Sequence, residues 1–290
     1  MKPPPFEYHD PKTVEEALAT LARYGGEARI LAGGQSLMAL LNFRLAAPAA
    51  LVDLNRIAEL SYIREEGGQL RFGAMTRQRQ IEFSPLVAQR LPLMIEATRM
   101  VGHLPTRTRG TIGGSIAHAD PSAEYPALVT ALDGEMVLRS PSGTRVVKPA
   151  DFFQGFLTTA IAPGEMLAEV RIPVTPANSG WAFEEFSRRH GDFAIVEVAT
   201  MLTIENGRCT RARVATSGVG GIPVKMRSVE EILERDGIGE KAIAAAAARA
   251  AELVDPTSDL HASADYRRHL TRVLTRRALT RAASQARGNN

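Results

Sequence analysis

Arg29-Ile30-Leu31-Ala32-Gly33-Gly34-Gln35-Ser36-Leu37 reads as a short apolar run that enters a paired-glycine turn and leaves into a hydroxyl residue. A second stretch, Arg109-Gly110-Thr111-Ile112-Gly113-Gly114-Ser115, repeats the pattern. Bare backbone of this kind can turn successive N–H groups toward an anion. A Cβ at Gly33, Gly34, Gly113 or Gly114 would hold a diphosphate away from those amides, and Ser36 and Ser115 offer either further donors or helix caps. The same glycines also suit two ordinary tight turns. Two such turns in one chain suggest a ligand with adjacent phosphates held between two loops.

Working outward, the first glycine pair sits inside a small α/β unit spanning residues 1–55. Thr13-Val14-Glu15-Glu16 has the form of a capping box for a helix that runs to Tyr24 and stops at Gly25-Gly26. Residues 28–32 and 50–54 read as strands, and Leu37 starts a short helix. A second unit, 56–176, opens with two strands around Gly67-Gly68, followed by a helix starting at Thr76 and helical periodicity from Ser84-Pro85 to Gly102. It carries the second glycine pair as a turn over 107–115, a helix over 124–132 and further strands. The segment Pro173-Val174-Thr175-Pro176-Ala177-Asn178-Ser179-Gly180 marks the next boundary. Residues 177–290 then read as an antiparallel meander with an Asn206-Gly207 hairpin turn, a helix capped by Ser228, an alanine-rich helix from Lys241, and a long basic helix from Ser263.

Composition narrows the function. With 290 residues and 44% hydrophobic content the chain can build real cores. The net charge of +3, from 35 basic against 32 acidic side chains, gives little reason to expect nucleic acid, and no basic-aromatic interleaving suits single strands. The arginines of the last helix (Arg267, Arg268, Arg272, Arg276, Arg277, Arg281) fit a solvated helix face. Cys209 is the only cysteine, so an all-cysteine iron–sulfur or zinc centre would have to sit on another chain. No apolar run is long enough to span a bilayer and the start lacks a signal core, so a cytoplasmic protein is expected.

His103, His118 and Asp120 lack the helical spacing of metal ligands, and no metal is expected in this chain. There is no Gly-x-Ser-x-Gly elbow, no lysine of a Walker A loop and no Gly-x-Gly-x-x-Gly fingerprint. Arg188-Arg189-His190-Gly191-Asp192-Phe193-Ala194 falls at a turn between strands; its charges matter if this last unit folds over a ligand bound by the first two.

Taken together, Ala32-Gly33-Gly34-Gln35-Ser36, Thr111-Ile112-Gly113-Gly114-Ser115 with His118-Ala119-Asp120-Pro121, and the 188–194 turn closely resemble the FAD-binding medium subunits of the molybdenum hydroxylases, the xanthine dehydrogenase family. The nearest pattern is the medium subunit of aerobic carbon monoxide dehydrogenase. The resemblance runs through nearly the whole chain, in order. It implies an α+β fold: a two-subdomain FAD-binding region of the vanillyl-alcohol oxidase (PCMH) type, followed by a C-terminal antiparallel sheet with helices. It further implies that Arg29, Ile30, Leu31, Ala32, Gly33, Gly34, Gln35 and Ser36, with Gly110, Thr111, Ile112, Gly113, Gly114 and Ser115, form the loops that hold the FAD pyrophosphate. Glu124 stands where relatives often carry an aspartate contacting the cofactor, Leu167 where a leucine touches it, and Phe193 where a residue lies near the flavin ring.

In such an assembly the molybdopterin cofactor sits on a large subunit and 2Fe–2S clusters on a small one. The resemblance implies a dimer of heterotrimers in which this chain takes electrons from the clusters onto FAD and passes them to an external acceptor. The isoalloxazine carries that chemistry, so no catalytic side chain is required. Two other readings are a self-sufficient flavin oxidase, which would need its own substrate pocket and base, and a nucleotide-binding regulatory or scaffolding protein.

Overall fold

The computed structural model describes residues 2–288. The first unit is a parallel sheet of β1 (Glu7–His9), β2 (Ala28–Leu31) and β3 (Ala50–Asp53), in the order β1-β3-β2. α1 (Val14–Tyr24) covers it with Val14, Ala17, Leu18 and Leu21, the apolar stripe of an amphipathic helix. Thr13 caps α1, its Oγ1 accepting from Glu16 N at 3.2 Å, but the Glu16 carboxylate accepts from Lys12 N (2.7 Å) rather than from Thr13. The capping box is therefore closed on one side only. α2 (Leu37–Asn42) follows the first glycine pair.

The second unit is an antiparallel sheet, ordered β4 (Ile63–Glu66), β5 (Gln69–Gly73), β10 (Met166–Pro173), β6 (Glu135–Ser140), β7 (Gly143–Val147). A small hairpin, β8 (Phe153–Gly155) and β9 (Thr158–Thr159), precedes β10. Short helices α3 (Gln78–Glu82), α4 (Pro85–Arg90), α5 (Pro92–Met100), α6 (Leu104–Arg109), α7 (Ile112–His118), α8 (Glu124–Ala131) and α9 (Pro149–Phe152) pack around it. Thr76 does not start α3; its hydroxyl donates to Tyr62 O at 2.8 Å and the helix begins two residues later. The helical pattern after Ser84 is two helices, because Pro92 has no N–H to continue α4 and instead takes the first turn of α5.

The third unit is the antiparallel sheet β11 (Ser179–Phe186), β12 (Val196–Glu205), β13 (Arg208–Ser217), β14 (Val224–Lys225). Asn206 (φ 51°) and Gly207 (φ 74°) make the expected tight hairpin. α10 (Arg227–Asp236), α11 (Glu240–Leu253) and α12 (Ala264–Gly288) cover one face. α12 crosses β11 so closely that a Cβ on Gly180 would lie 1.9 Å from Ala282 O. Ser228 is inside α10 rather than at its cap: the helix starts one residue earlier, with Met226 as its cap, and Glu230 accepts from Val214 N (2.8 Å) and pairs with Lys225 and Arg227. Arg267 is likewise not on a solvated face: it is buried, donating to Ile195 O, Gly218 O and Asp259.

The other face of this third sheet packs on the second unit, with Phe183, Ala199, Met201 and Ala215 joining the core around Phe72, Tyr125 and Phe152. Met166 and Ala168 of β10 in turn join the core of the first unit. The sheets therefore share apolar cores at two seams. No helix among the described residues is long and apolar enough to cross a membrane.

Candidate cofactor site

The first glycine pair lies between β2 and α2, where Gly34 takes a left-handed conformation (φ 74°). The carbonyls of this loop face the protein. Ala32 O accepts from Asn55 Nδ2 (3.0 Å), Gly33 O from Gln35 Nε2 (3.2 Å) and Gly34 O from Met38 N (3.2 Å). The amides of Gly33, Gly34, Gln35 and Ser36 have no acceptor among the described residues. A row of free N–H groups is the donor set an anion requires.

The second glycine pair differs from the expectation. It is not a turn: Gly113 and Gly114 are in the first turns of α7, capped by Thr111, whose Oγ1 accepts from Gly114 N at 3.0 Å. Further amides of this stretch are committed as well, Gly110 to Thr106 O, Ile112 to Thr76 O, Gly113 to Ala74 O and Ser115 to Thr111 O. Gly113 is glycine because a Cβ would lie 2.5 Å from Ala74 Cβ, a packing constraint rather than an approach to ligand. The idea of a diphosphate gripped by amides from both loops is corrected accordingly: of the second loop's amides, Thr111 N alone has no acceptor among the described residues, so the first loop offers the row of free donors and the second a single one.

What joins the loops is close contact. A Cβ on Gly33 would lie 2.4 Å from Arg109 O and 2.8 Å from Gly110 Cα. Arg77 spans the same seam, donating to Arg109 O and to Asn55 Oδ1. Asn55 in turn holds Ala32 O, and Asp53 accepts from Asn55 N (2.9 Å) and from Tyr8 OH (2.6 Å). The sequence reading missed Tyr8, Asp53, Asn55 and Arg77. The one local signal was Asp53-Leu54-Asn55, an Asx turn just after a strand.

Between the three units lies a cavity of about 770 Å³, a volume suited to a cofactor. Of the residues that the resemblance implies for the cofactor, all line it except Leu31 and Ile112; His103, Arg188, Arg189 and His190 do not line it. Ile112 is wholly buried in the core, and Leu31 is half-buried behind Gly34. The 188–194 turn does reach over the first two units, since Gly191, Asp192 and Phe193 line the cavity. Gly191 (φ 86°) sits so close to His103 that a Cβ would meet the ring at 2.4 Å. Phe193, 64% exposed, presents a flat apolar ring at the edge.

Opposite these, Glu124 opens α8 and is buried; burial, then the charge of Glu185, pushes its carboxyl up to about 8. Burial also lowers the basicity of His118, with Asp120 offsetting part of it. No group of His, Cys, Asp and Glu among the described residues is arranged to hold a metal ion.

Residues 4–175 match the FAD binding domain in molybdopterin dehydrogenase, and residues 181–282 the CO dehydrogenase flavoprotein C-terminal domain. The chain is 42% identical to 6-hydroxypseudooxynicotine dehydrogenase complex subunit alpha of Paenarthrobacter nicotinovorans, over 99% of this chain and 97% of that one. It is 40% identical to caffeine dehydrogenase subunit beta of a Pseudomonas species, over 98% and 97%. Among solved structures it is similar to a carbon monoxide dehydrogenase chain from Hydrogenophaga pseudoflava, with a TM-score of 0.96, 39% identity and coverage of 98% and 99%.

Proposed function

The chain belongs to the FAD-binding medium subunits of the molybdenum hydroxylase family, and from that premise we propose that it is the flavin relay of a larger oxidoreductase. In this reading it accepts electrons from 2Fe–2S clusters of a small partner subunit and passes them to an external acceptor. A large partner subunit carries the molybdopterin cofactor, in a dimer of heterotrimers.

The observation that carries the reading is the row of free amides from Gly33 to Ser36 facing a cavity to which all three units contribute. These amides would hold the FAD diphosphate. Gly110, Thr111, Gly113, Gly114 and Ser115 would form the opposing wall, Glu124 and Leu167 would contact the cofactor, and Phe193 would lie by the ring. Bound FAD supplies the exchange of electrons. The chain supplies binding and orientation, and its three-sided wall limits water around the group.

The relatives bear the names of enzymes acting on 6-hydroxypseudooxynicotine, caffeine and carbon monoxide, yet their flavin chains are alike. We take this to mean that the substrate is chosen on another chain. Purifying this chain with FAD and recording its absorbance tests the reading: one flavin per chain, reduced by an artificial electron donor but inert to organic substrates, is expected. Turnover of an organic donor by the chain alone would support a self-sufficient oxidase instead.

A further inference from the structure

The third sheet turns its second face toward α8, and on that face carboxylates gather behind the cavity. Glu197 is the cross-strand partner of Glu185 on β11 and of Ser217 on β13. It is wholly buried, and neither carboxylate oxygen has a hydrogen-bond partner; the Ser217 hydroxyl has none either. Neither Glu185 carboxylate oxygen has a partner at hydrogen-bond geometry; the nearby Ser187 hydroxyl, which donates to Arg189 O at 2.9 Å, offsets only part of the effect of burial on this carboxyl. Glu124 is near enough to both for its charge to act on Glu197, and that of Glu185 on it, and it lines the cavity. Asp120, on the connection into α8, lines the cavity too and adds its charge.

Little positive charge faces this group. Arg107 is the cation acting on Glu124, and it is already held by Glu82, Val101 O and Gly102 O. Arg213 and Lys225, further along the sheet, are taken by Asp133. Arg188 is 3.9 Å from Asp192, and burial disfavours the charged form of His118. No three of these acidic groups are placed to hold a metal ion among the described residues. Ionised carboxylates left in such a place cost far more than neutral ones, so protons neutralise them. Burial pushes Glu185 up to about 7 and Glu124 to about 8, and Glu197 is raised well above the ordinary range by burial and by its two neighbours. The cluster therefore keeps protons at neutral pH and is close to giving one up.

We propose that Glu124, Glu185 and Glu197 form a redox-linked proton-binding site, which takes a proton from solvent when an electron pair enters the adjoining cavity and returns it when the pair leaves. The inference rests on the flavin reading above. Negative charge delivered beside the cluster raises its affinity for protons. An O–H bond forms on one carboxylate oxygen, no bond to the cofactor is made or broken by the cluster, and the two electrons come in succession from the partner's 2Fe–2S clusters or, for the chain alone, from the artificial donor.

The test is the reduction potential of the FAD-loaded full-length chain, measured from about pH 6 to about pH 9 in the wild type and in Glu197→Gln and Glu185→Gln. One proton bound per electron pair is a tenfold change in equilibrium constant per pH unit, or ~30 mV. Above neutral pH the wild-type slope should be steeper than that of either variant by about this amount. The infrared spectrum of the reduced minus the oxidised wild type should show a gain in the C=O band of protonated carboxyl, absent in Glu197→Gln. Equal slopes in variants that keep their flavin would overturn the proposal, as would a wild-type spectrum without that band. Should the variants not fold, the wild-type spectrum decides by itself. A chain that binds no flavin would overturn the cofactor reading itself, and with it this inference.

Discussion

Gly33 sits where the two loops of the site touch, and its side of the seam has no room for a single carbon against Arg109 O. Backbone cannot retreat as a flexible side chain can, so Gly33→Val should part the loops and abolish flavin retention, while circular dichroism still reports a folded third unit. Gly113→Ala acts elsewhere: its new Cβ would strike Ala74, and a loss of about 1–3 kcal/mol in unfolding free energy is expected ahead of any direct effect on the cofactor. Asn55→Ala removes the donor to Ala32 O and the acceptor of Arg77. It should weaken FAD binding roughly tenfold, the equivalent of one or two hydrogen bonds, read by equilibrium dialysis. Unchanged binding would show that the loops hold their places without Asn55.

At the scale of elements, the contact of α8 with the third sheet carries a pH dependence. Glu124, Glu185 and Glu197 bind protons more tightly when folded than the ordinary carboxylate near 4.3. Their contribution to stability is full below that value and is lost as pH rises toward 7 and 8, at up to ~1.4 kcal/mol per pH unit for each proton. The melting temperature should fall between about pH 6 and about pH 8, and less so in Glu197→Gln. Cys209, on β13, is buried, and burial together with Glu234 pushes its thiol up to about 11. It should resist alkylation at neutral pH until the chain is unfolded, a point mass spectrometry can check.

The same scale shows what the sequence could and could not reveal. Asn206-Gly207, the Gly25 helix stop and the Ser84-Pro85 start are signalled by one or two adjacent residues, and the chain follows them. Ser228 is not the cap because α10 begins one residue before it, next to β14, where Glu230 accepts from Val214 N of the third sheet. The Gly113-Gly114 pair looked like its counterpart at Gly33-Gly34 in composition, yet its amides are taken by Thr111, the local cap, and by Ala74 O, which only the packed structure brings near. Arg77 and Asn55 are separated in sequence and ordinary in type; the Asx turn at Asp53-Leu54-Asn55 marks a turn but not its pairing with Arg77. The acid cluster is likewise created by register, since Glu185 and Glu197 face one another only because β11 pairs with β12 as it does.

For the molecule as a whole, three sheets share their cores at two seams, and the cavity lies where they meet. A ligand that fills it binds all three at once and the unfolded chain not at all. Free FAD at about a hundredfold its dissociation constant should therefore stabilise the chain by ~2.7 kcal/mol, seen as a rise of several degrees in melting temperature. The most direct test of the account is a crystal structure of the chain loaded with FAD. The diphosphate oxygens should lie about 2.7–3.2 Å from the amide nitrogens of the Gly33 to Ser36 loop, with the ring beside Phe193. A flavin lodged elsewhere, or those amides turned to other acceptors while the cofactor is bound, would contradict it.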